Sequence, residues 1–131
     1  MKRMVGFFSL ALALTLGEVV AQTPYGWRGP THDGHYPETG LLKQWPANGP
    51  QLLWETLDTG KGYSSPVIVD DRIYLTGMNE DETKEIFSAY SMDGKKIYEV
   101  VYGNPWDKTY PETRTTPAID NGKAYVISGS G

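Results

Sequence analysis

Apolar and polar residues alternate along this chain in short runs separated by turn residues, which is the pattern of β-strands. Between residues 65 and 101 this pattern predicts four strands, at 65–69, 72–76, 85–91 and 96–101. The first two are joined at Asp70-Asp71 and the last two at Asp93-Gly94. Because short turns join strands that pair antiparallel, the sequence predicts a four-stranded antiparallel meander over 65–101.

The same pattern recurs further along the chain. Residues 62–77 are echoed without a gap by residues 113–128 at an offset of 51, so that Pro66 matches Pro117. Self-similarity at this spacing in a strand-rich sequence is typical of a β-propeller. We therefore expect an all-β fold of propeller blades, about one and a half of them, in an incomplete propeller.

The second blade is predicted to start at 115–131, with strands at 115–119 and 123–127. Asn121-Gly122 lies between these two strands, and Asn-Gly between apolar runs is the strongest short hairpin signal. Residues 52–57 are predicted to form a further strand, the outer strand of the blade that closes the propeller.

The N-terminus has the pattern of a secretory signal peptide over residues 1–21. Lys2 and Arg3 precede an apolar run at 5–16, and small residues end at Ala21. An uncleaved anchor helix is the alternative, but the run is shorter than the ~20 residues that a bilayer requires. We expect an exported bacterial protein, periplasmic or secreted, with no membrane span after cleavage.

Residues 22–50 are rich in glycine and proline, which prevents long helices or strands. Four large aromatic residues argue against disorder in this segment. We expect an ordered but irregular segment that lies across a larger body and is anchored by its tryptophans. The repeat domain then occupies residues 51–131.

Charge and cysteine content limit the function classes. The full chain has a formal net charge of −4; without Lys2, Arg3 and Glu18, ten basic and fifteen acidic residues remain. An acidic chain with no basic stripe does not suit nucleic acid. The absence of cysteine excludes disulfides, thiolate metal sites and cysteine nucleophiles.

The familiar catalytic and phosphate-binding motifs do not occur, so no catalytic residue is predicted. His32 and His35 flank Asp33-Gly34, and we interpret this sequence as a turn rather than a metal site. The acidic run at 80–82 lacks the ligand spacing of a calcium loop and is interpreted as a solvated loop. Residues 64–65 and 115–116 carry hydroxyls that recur in register, which favours hydrogen bonds between blades over catalysis.

Arginines beside aromatic residues give the best candidate binding surface, because arginine serves both stacking and carboxylate recognition. Arg28 follows a tryptophan and Arg114 follows Tyr110 in the chain, although structural stacking remains the simpler interpretation of both. Tyr102, Trp106 and Tyr110 lie in the loop between the blades, where exposed rings could stack on sugars. These five residues form the candidate surface.

Residues 88–98 resemble the repeat of the pyrroloquinoline-quinone (PQQ)-binding-like β-propeller proteins. Ala89, Asp93, Gly94, Lys95 and Tyr98 match that repeat, with tyrosine where its usual form has tryptophan and with a shortened turn. A leading motif carries the likeness over residues 25–131: Trp27-Arg28-Gly29-Pro30, Asp33-Gly34, 37–42, Trp45-Pro46, Leu53-Trp54 and 62–66.

The resemblance implies an exported bacterial propeller of the quinoprotein-like kind. Quinoprotein dehydrogenases use PQQ with calcium and place a vicinal disulfide against the cofactor, whereas this chain has no cysteine. No cofactor or metal ligand of that family falls on a residue of this sequence. PQQ with calcium is therefore expected only if downstream blades supply the site.

Three functions follow from the sequence. The first is a non-catalytic propeller segment that acts as a binding or assembly scaffold, whose partners are further blades of a longer chain or other copies of itself. The second is the N-terminal part of a periplasmic PQQ-dependent alcohol dehydrogenase, and the third is a carbohydrate-binding propeller. Because one blade leaves its apolar faces bare, the isolated chain is expected to be marginally folded, and to aggregate or self-assemble.

Overall fold

The fold is all-β. A computed structural model describes residues 25–29 and 31–131, so the predicted signal peptide lies outside the described residues. Six strands are present: β1 (Val67–Val69), β2 (Arg72–Met78), β3 (Glu85–Ser91), β4 (Lys96–Gly103), β5 (Ala118–Asp120) and β6 (Lys123–Tyr125). The described part of the chain contains no helix, and the predicted fold class is confirmed at this level.

The first sheet has the order β1-β2-β3-β4 with every pair antiparallel, which confirms the predicted meander. β2 and β4 each run two residues further than predicted, to Met78 and Gly103. β3 is buried along almost its whole length because it has a hydrogen-bonded strand on each side and residues packed on both of its faces. It is the centre of the molecule.

The second sheet is the hairpin β5–β6. Its turn residues Asn121 and Gly122 both have positive φ, 47° and 72°, as a type I′ turn requires. At the equivalent turn of the first repeat, only Asp70 has a positive φ, of 54°. The two turns therefore occupy the same place in the repeat but differ in backbone conformation.

The two faces of the first sheet pack against different parts of the chain. We call the face with Val67, Tyr74 and Phe87 the front face and the face with Ile68, Ile86 and Tyr90 the back face. The front face meets the β5–β6 hairpin, where Val67 and Phe87 form a buried cluster with Ile119. The ring of Tyr74 stacks on Phe87 with 5.8 Å between centroids.

The predicted strand at 52–57 is wrong. These residues have no strand pairing in the structure, and Leu57 is 92% exposed. A strand requires a hydrogen-bonded neighbour, and the described chain offers none at this position. The chain just beyond it crosses the back face instead, where the Tyr90 hydroxyl donates to the carbonyl oxygen of Asp58.

The segment before residue 51 is irregular, as predicted, with turns and bends at the described positions. It is attached through Tyr25, whose backbone exchanges two hydrogen bonds with Ile119 at 2.7 and 2.9 Å. The expected tryptophan anchors are not found, because Trp27 and Trp45 are both exposed. Backbone pairing to the edge of β5 holds this end of the segment, not burial of its indole rings.

Candidate functional site

Residues that are equivalent in the two repeats lie side by side. Gly62 forms a parallel bridge with Thr113, its counterpart 51 residues later, and the Tyr63 N–H donates to the Thr113 carbonyl at 2.8 Å. Three residues further on, the Ser65 N–H donates to the hydroxyl of its counterpart Thr116 at 3.1 Å. The starts of the two repeats therefore line up along one seam.

Three of the four repeated hydroxyls, those of Ser64, Thr115 and Thr116, make structural hydrogen bonds. Ser64 accepts a hydrogen bond from the N–H of Thr76, while its counterpart Thr115 donates to the carbonyl of Ile127 at 2.7 Å. Thr76 and Ile127 are themselves 51 residues apart, so the hydroxyl ties the same strand in both repeats. Of the four, only the Thr116 hydroxyl bonds across the two repeats, so the predicted contact between repeats is found for that residue alone.

A cleft opens beside the seam, and Arg114 is its central residue. Three adjoining hollows of about 230, 410 and 560 Å³ all have Arg114 in their walls. We call the two hollows nearest the seam, of about 410 and 560 Å³, the Arg114 cleft, and define it by the residues that wall them. These residues are Trp27, Tyr63, Ser65, Tyr110, Glu112, Arg114 and Thr116.

The charges of the cleft nearly balance. The Arg114 guanidinium lies 3.9 Å from the Glu112 carboxylate, an ion-pair distance longer than a hydrogen bond. A second carboxylate, that of Glu85, is buried in the wall of the adjoining hollow, where it accepts the Gly129 N–H at 3.0 Å. Two further cations lie beside residues of the cleft: the Arg28 guanidinium is 5.4 Å from the centroid of the Trp27 ring, and Lys61 is close enough to Glu112 for their charges to interact.

Tyr102 is a partly buried residue near the end of β4. Its hydroxyl is buried without a hydrogen-bond partner among the described residues, as is the hydroxyl of Thr113. Burial raises the pKa of Tyr102, and the nearby carboxylate of Glu85 raises it further. This residue was predicted to offer an exposed ring to a ligand, and the structure leaves it partly buried with its hydroxyl enclosed.

The other predicted surface residues are found in two places. Tyr110 and Trp106 line the hollow beside Glu85, together with Arg114. The Trp106 indole N–H donates to Thr109 at 3.0 Å, which fixes the ring. Arg28 lies apart from them.

Arg28 stacks on the tryptophan beside it in the sequence, as the structural interpretation of this residue predicted. Its guanidinium lies 5.4 Å from the centroid of the Trp27 ring, and it donates to the Asp33 carbonyl at 3.2 Å. The structure therefore brings Tyr110, Trp106 and Arg114 together, and leaves out Tyr102 and Arg28.

Tyr63 is a cleft residue that sequence reasoning missed. The repeat alignment held the signal, because Tyr63 is the counterpart of Arg114, and counterparts meet at the seam. Glu112 was missed because it becomes a cleft residue only through its position beside Arg114.

The His-Asp-Gly-His sequence forms the predicted turn. Asp33 accepts hydrogen bonds from the Thr31 hydroxyl at 2.5 Å and from the His35 N–H at 2.8 Å. These hydrogen bonds, that from Thr31 first, lower the pKa of Asp33. In the described residues no three histidine, cysteine, aspartate or glutamate side chains are grouped closely enough to hold a metal ion.

Residues 25–29 and 31–131 contain no helix that is long and apolar enough to cross a membrane. No protein-family model, no curated protein and no solved structure matches this chain.

Proposed function

We propose that this protein is an exported, non-catalytic β-propeller segment of the PQQ-binding-like kind and that it acts as a scaffold for binding and assembly. Its sheets stack front to back, and the partner of each exposed sheet face is a further sheet of the same repeat. The complementary burial of the two repeat hairpins carries this proposal.

Equivalent residues of the two hairpins have opposite exposure. On the first hairpin Val67 is 5% exposed and Ile68 is 52% exposed. On the second hairpin the counterpart of Ile68, Ile119, is 5% exposed, while Ala118, the counterpart of Val67, is only half-buried. The second hairpin therefore packs on the first sheet with the face that contains Ile119. The equivalent face of the first sheet, which contains Ile68, is left uncovered at that residue.

The two sheets pack front to back. This leaves the back face of the first sheet uncovered at Ile68 and the front face of the second sheet without a neighbour. The front face of the first sheet is covered by the back face of the second, so the front face of the second remains bare. There Tyr125 is 54% and Ile127 is 69% exposed, although the counterpart of Ile127, Thr76, is buried. Covering these apolar residues with another sheet removes their surface from water, which stabilises the stack at about 25 cal/mol per Å².

Disruption of the bare face tests the proposal. The double variant Tyr125→Lys with Ile127→Lys places two charges where the next sheet is expected to pack. We expect the assembly to weaken in sedimentation velocity and the melting temperature to fall, by about 4–8 °C for each kcal/mol lost.

Leu41→Lys with Leu42→Lys is the matched control, because these leucines are equally exposed and lie in the irregular segment. The control should behave as the unmodified protein. If the front-face variant also behaves so, the stacking proposal is wrong.

The non-catalytic part of the proposal has a separate test. No residue of the chain is assigned to PQQ or calcium, because no ligand motif of the quinoprotein dehydrogenases falls on this sequence and the chain has no cysteine. The purified protein is incubated with PQQ and calcium and assayed for alcohol-dependent dye reduction. We expect none, and reduction would favour the dehydrogenase alternative.

A further inference from the structure

We propose that the Arg114 cleft is a binding site for a neutral oligosaccharide. The proposal develops the carbohydrate-binding alternative and goes beyond the scaffold function. It rests on the composition of the cleft and not on the stacking of further sheets, so each can fail without the other.

Aromatic rings supply the platforms of the site. Tyr63 and Tyr110 are 72% and 68% exposed, and both line the same hollow of about 560 Å³. Trp27 is exposed on the neighbouring hollow, which Tyr63 also lines. Large exposed rings with a polar tip offer an apolar face and a hydrogen-bonding edge to the same ligand, which suits the C–H faces and hydroxyl rims of a pyranose.

Donors and acceptors are mixed around these rings. Arg114 offers guanidinium N–H groups that make no hydrogen bond to a described side chain, and its side chain is more than half exposed. Glu112 provides carboxylate oxygens on the same hollow, and Thr116 provides a hydroxyl on the next. A sugar hydroxyl is both donor and acceptor, so alternating partners of this kind match a row of hydroxyl groups.

The charge balance selects a neutral ligand. The Arg114 guanidinium is already beside the Glu112 carboxylate, and the carboxyl group of Glu85 is buried in the adjoining wall. The protein as a whole is acidic. An anionic ligand would therefore gain little net attraction from the cleft and would approach an acidic protein, whereas a neutral polyol does not depend on that charge balance.

The repeat also explains why the cleft lies at this place. Tyr63 and Arg114 are counterparts, and so are Ser65 and Thr116. Each repeat therefore contributes one long side chain and one hydroxyl residue at the same two positions along the seam. The cleft is a product of the repeat packing rather than of one loop.

The test is a titration of the purified protein with cellohexaose, maltohexaose and xylohexaose by calorimetry, with a trigalacturonate oligomer as the acidic probe. We expect at least one neutral hexasaccharide to bind and the acidic oligomer to bind more weakly. The double variant Tyr63→Ala with Tyr110→Ala should weaken the binding by about tenfold or more. Trp45→Ala is the control, because Trp45 is an exposed ring outside the cleft.

Three outcomes would overturn the proposal: no binding of any neutral hexasaccharide, tighter binding of the acidic oligomer, or unchanged binding by the double variant. Circular dichroism and sedimentation of the double variant, matched to the unmodified protein, establish that a loss of binding reflects the cleft. The assembly measured by sedimentation depends on Tyr125 and Ile127 and not on these tyrosines, so the failure of one proposal is distinct from that of the other.

Discussion

The hairpins β1–β2 and β5–β6 have the same sequence pattern and the same strand pairing, but they bury opposite faces. Val67 pairs with Tyr74 as Ala118 pairs with Tyr125. Yet the first hairpin buries the face that contains Val67, and the second buries the face that contains Ile119. Position in the stack, and not the residue pattern, decides which face is covered.

The difference explains why the strands are apolar on both faces. A sheet with one solvated face would alternate apolar and polar residues. Ile68 and Val67 are instead consecutive apolar residues that point to opposite faces, as in a sheet packed on both sides. Each hairpin has apolar residues that can pack against a neighbouring sheet on both of its faces. In the described chain only one of these two faces is fully covered.

Removing the contact that the second hairpin makes with the first sheet should reduce the free energy of unfolding more than any other change. Ile119→Ala leaves a cavity against Val67 and Phe87, and we expect it to lower the free energy of unfolding by about 2–5 kcal/mol. Leu57→Ala, at a side chain that is almost fully exposed, should change it by less than about 0.5 kcal/mol. Urea denaturation measures both, and similar losses would mean that Ile119 is not the contact between the sheets.

The backbone seam between the repeats is the next most sensitive point. A Cβ at Gly62 would lie 2.7 Å from the Thr113 carbonyl oxygen, so Gly62→Ala must open the bridge between the two repeats. We expect a loss of about 1–3 kcal/mol. Gly26→Ala is the control, since its Cβ would meet its neighbours only at 3.8 Å and beyond. If both variants melt at the same temperature, the seam is not a rigid contact.

The two turns should respond differently to the same change. Gly122→Ala puts a side chain at φ 72°, and we expect a loss of about 1–2 kcal/mol. Asp71→Ala, at the equivalent position of the first hairpin, has no positive φ to satisfy and should change stability little. Thermal melts of the two variants provide the measurement, and equal destabilisation would contradict the difference between the turns.

Acid should act on the first sheet through Asp93, by a small amount. Its carboxylate is held by Lys95 at 2.6 Å and by the Ser91 hydroxyl, which lower its pKa from 3.8 to about 2. Because the folded-state pKa is the lower one, this stabilisation is present above pH 3.8 and is lost as the pH falls towards 2. Asp93→Asn should remove it, so the melting temperature of the variant should fall less steeply over that range. Parallel pH profiles for the two proteins would contradict it.

The sequence predicted local structure well where each element has its partner nearby. The bounds of β3 and the turn at Asn121-Gly122 follow from alternation and turn chemistry, both of which are short-range. The strand at 52–57 was predicted wrongly because pairing depends on a neighbour that the local pattern does not specify.

The residues of the candidate site were likewise predicted correctly where the signal is local in sequence, and missed where it depends on how the sheets pack. Arg114 and Tyr110 were found from their proximity in sequence, four residues apart, whereas Tyr102 was misplaced because β4 continues to Gly103 and places it in the sheet rather than in the loop. Tyr63 reaches the cleft only because residues 51 apart meet in space, which depends on how the sheets pack.

Thiol labelling tests the continued stack most directly, because the chain has no cysteine of its own. Single variants Ile68→Cys and Ile127→Cys report on the two open faces, and Leu57→Cys is the exposed reference. In the purified, folded protein we predict that both face cysteines react with a maleimide many times more slowly than the reference, and that all three react alike in denaturant. Equally fast labelling of all three in the folded protein would contradict the account.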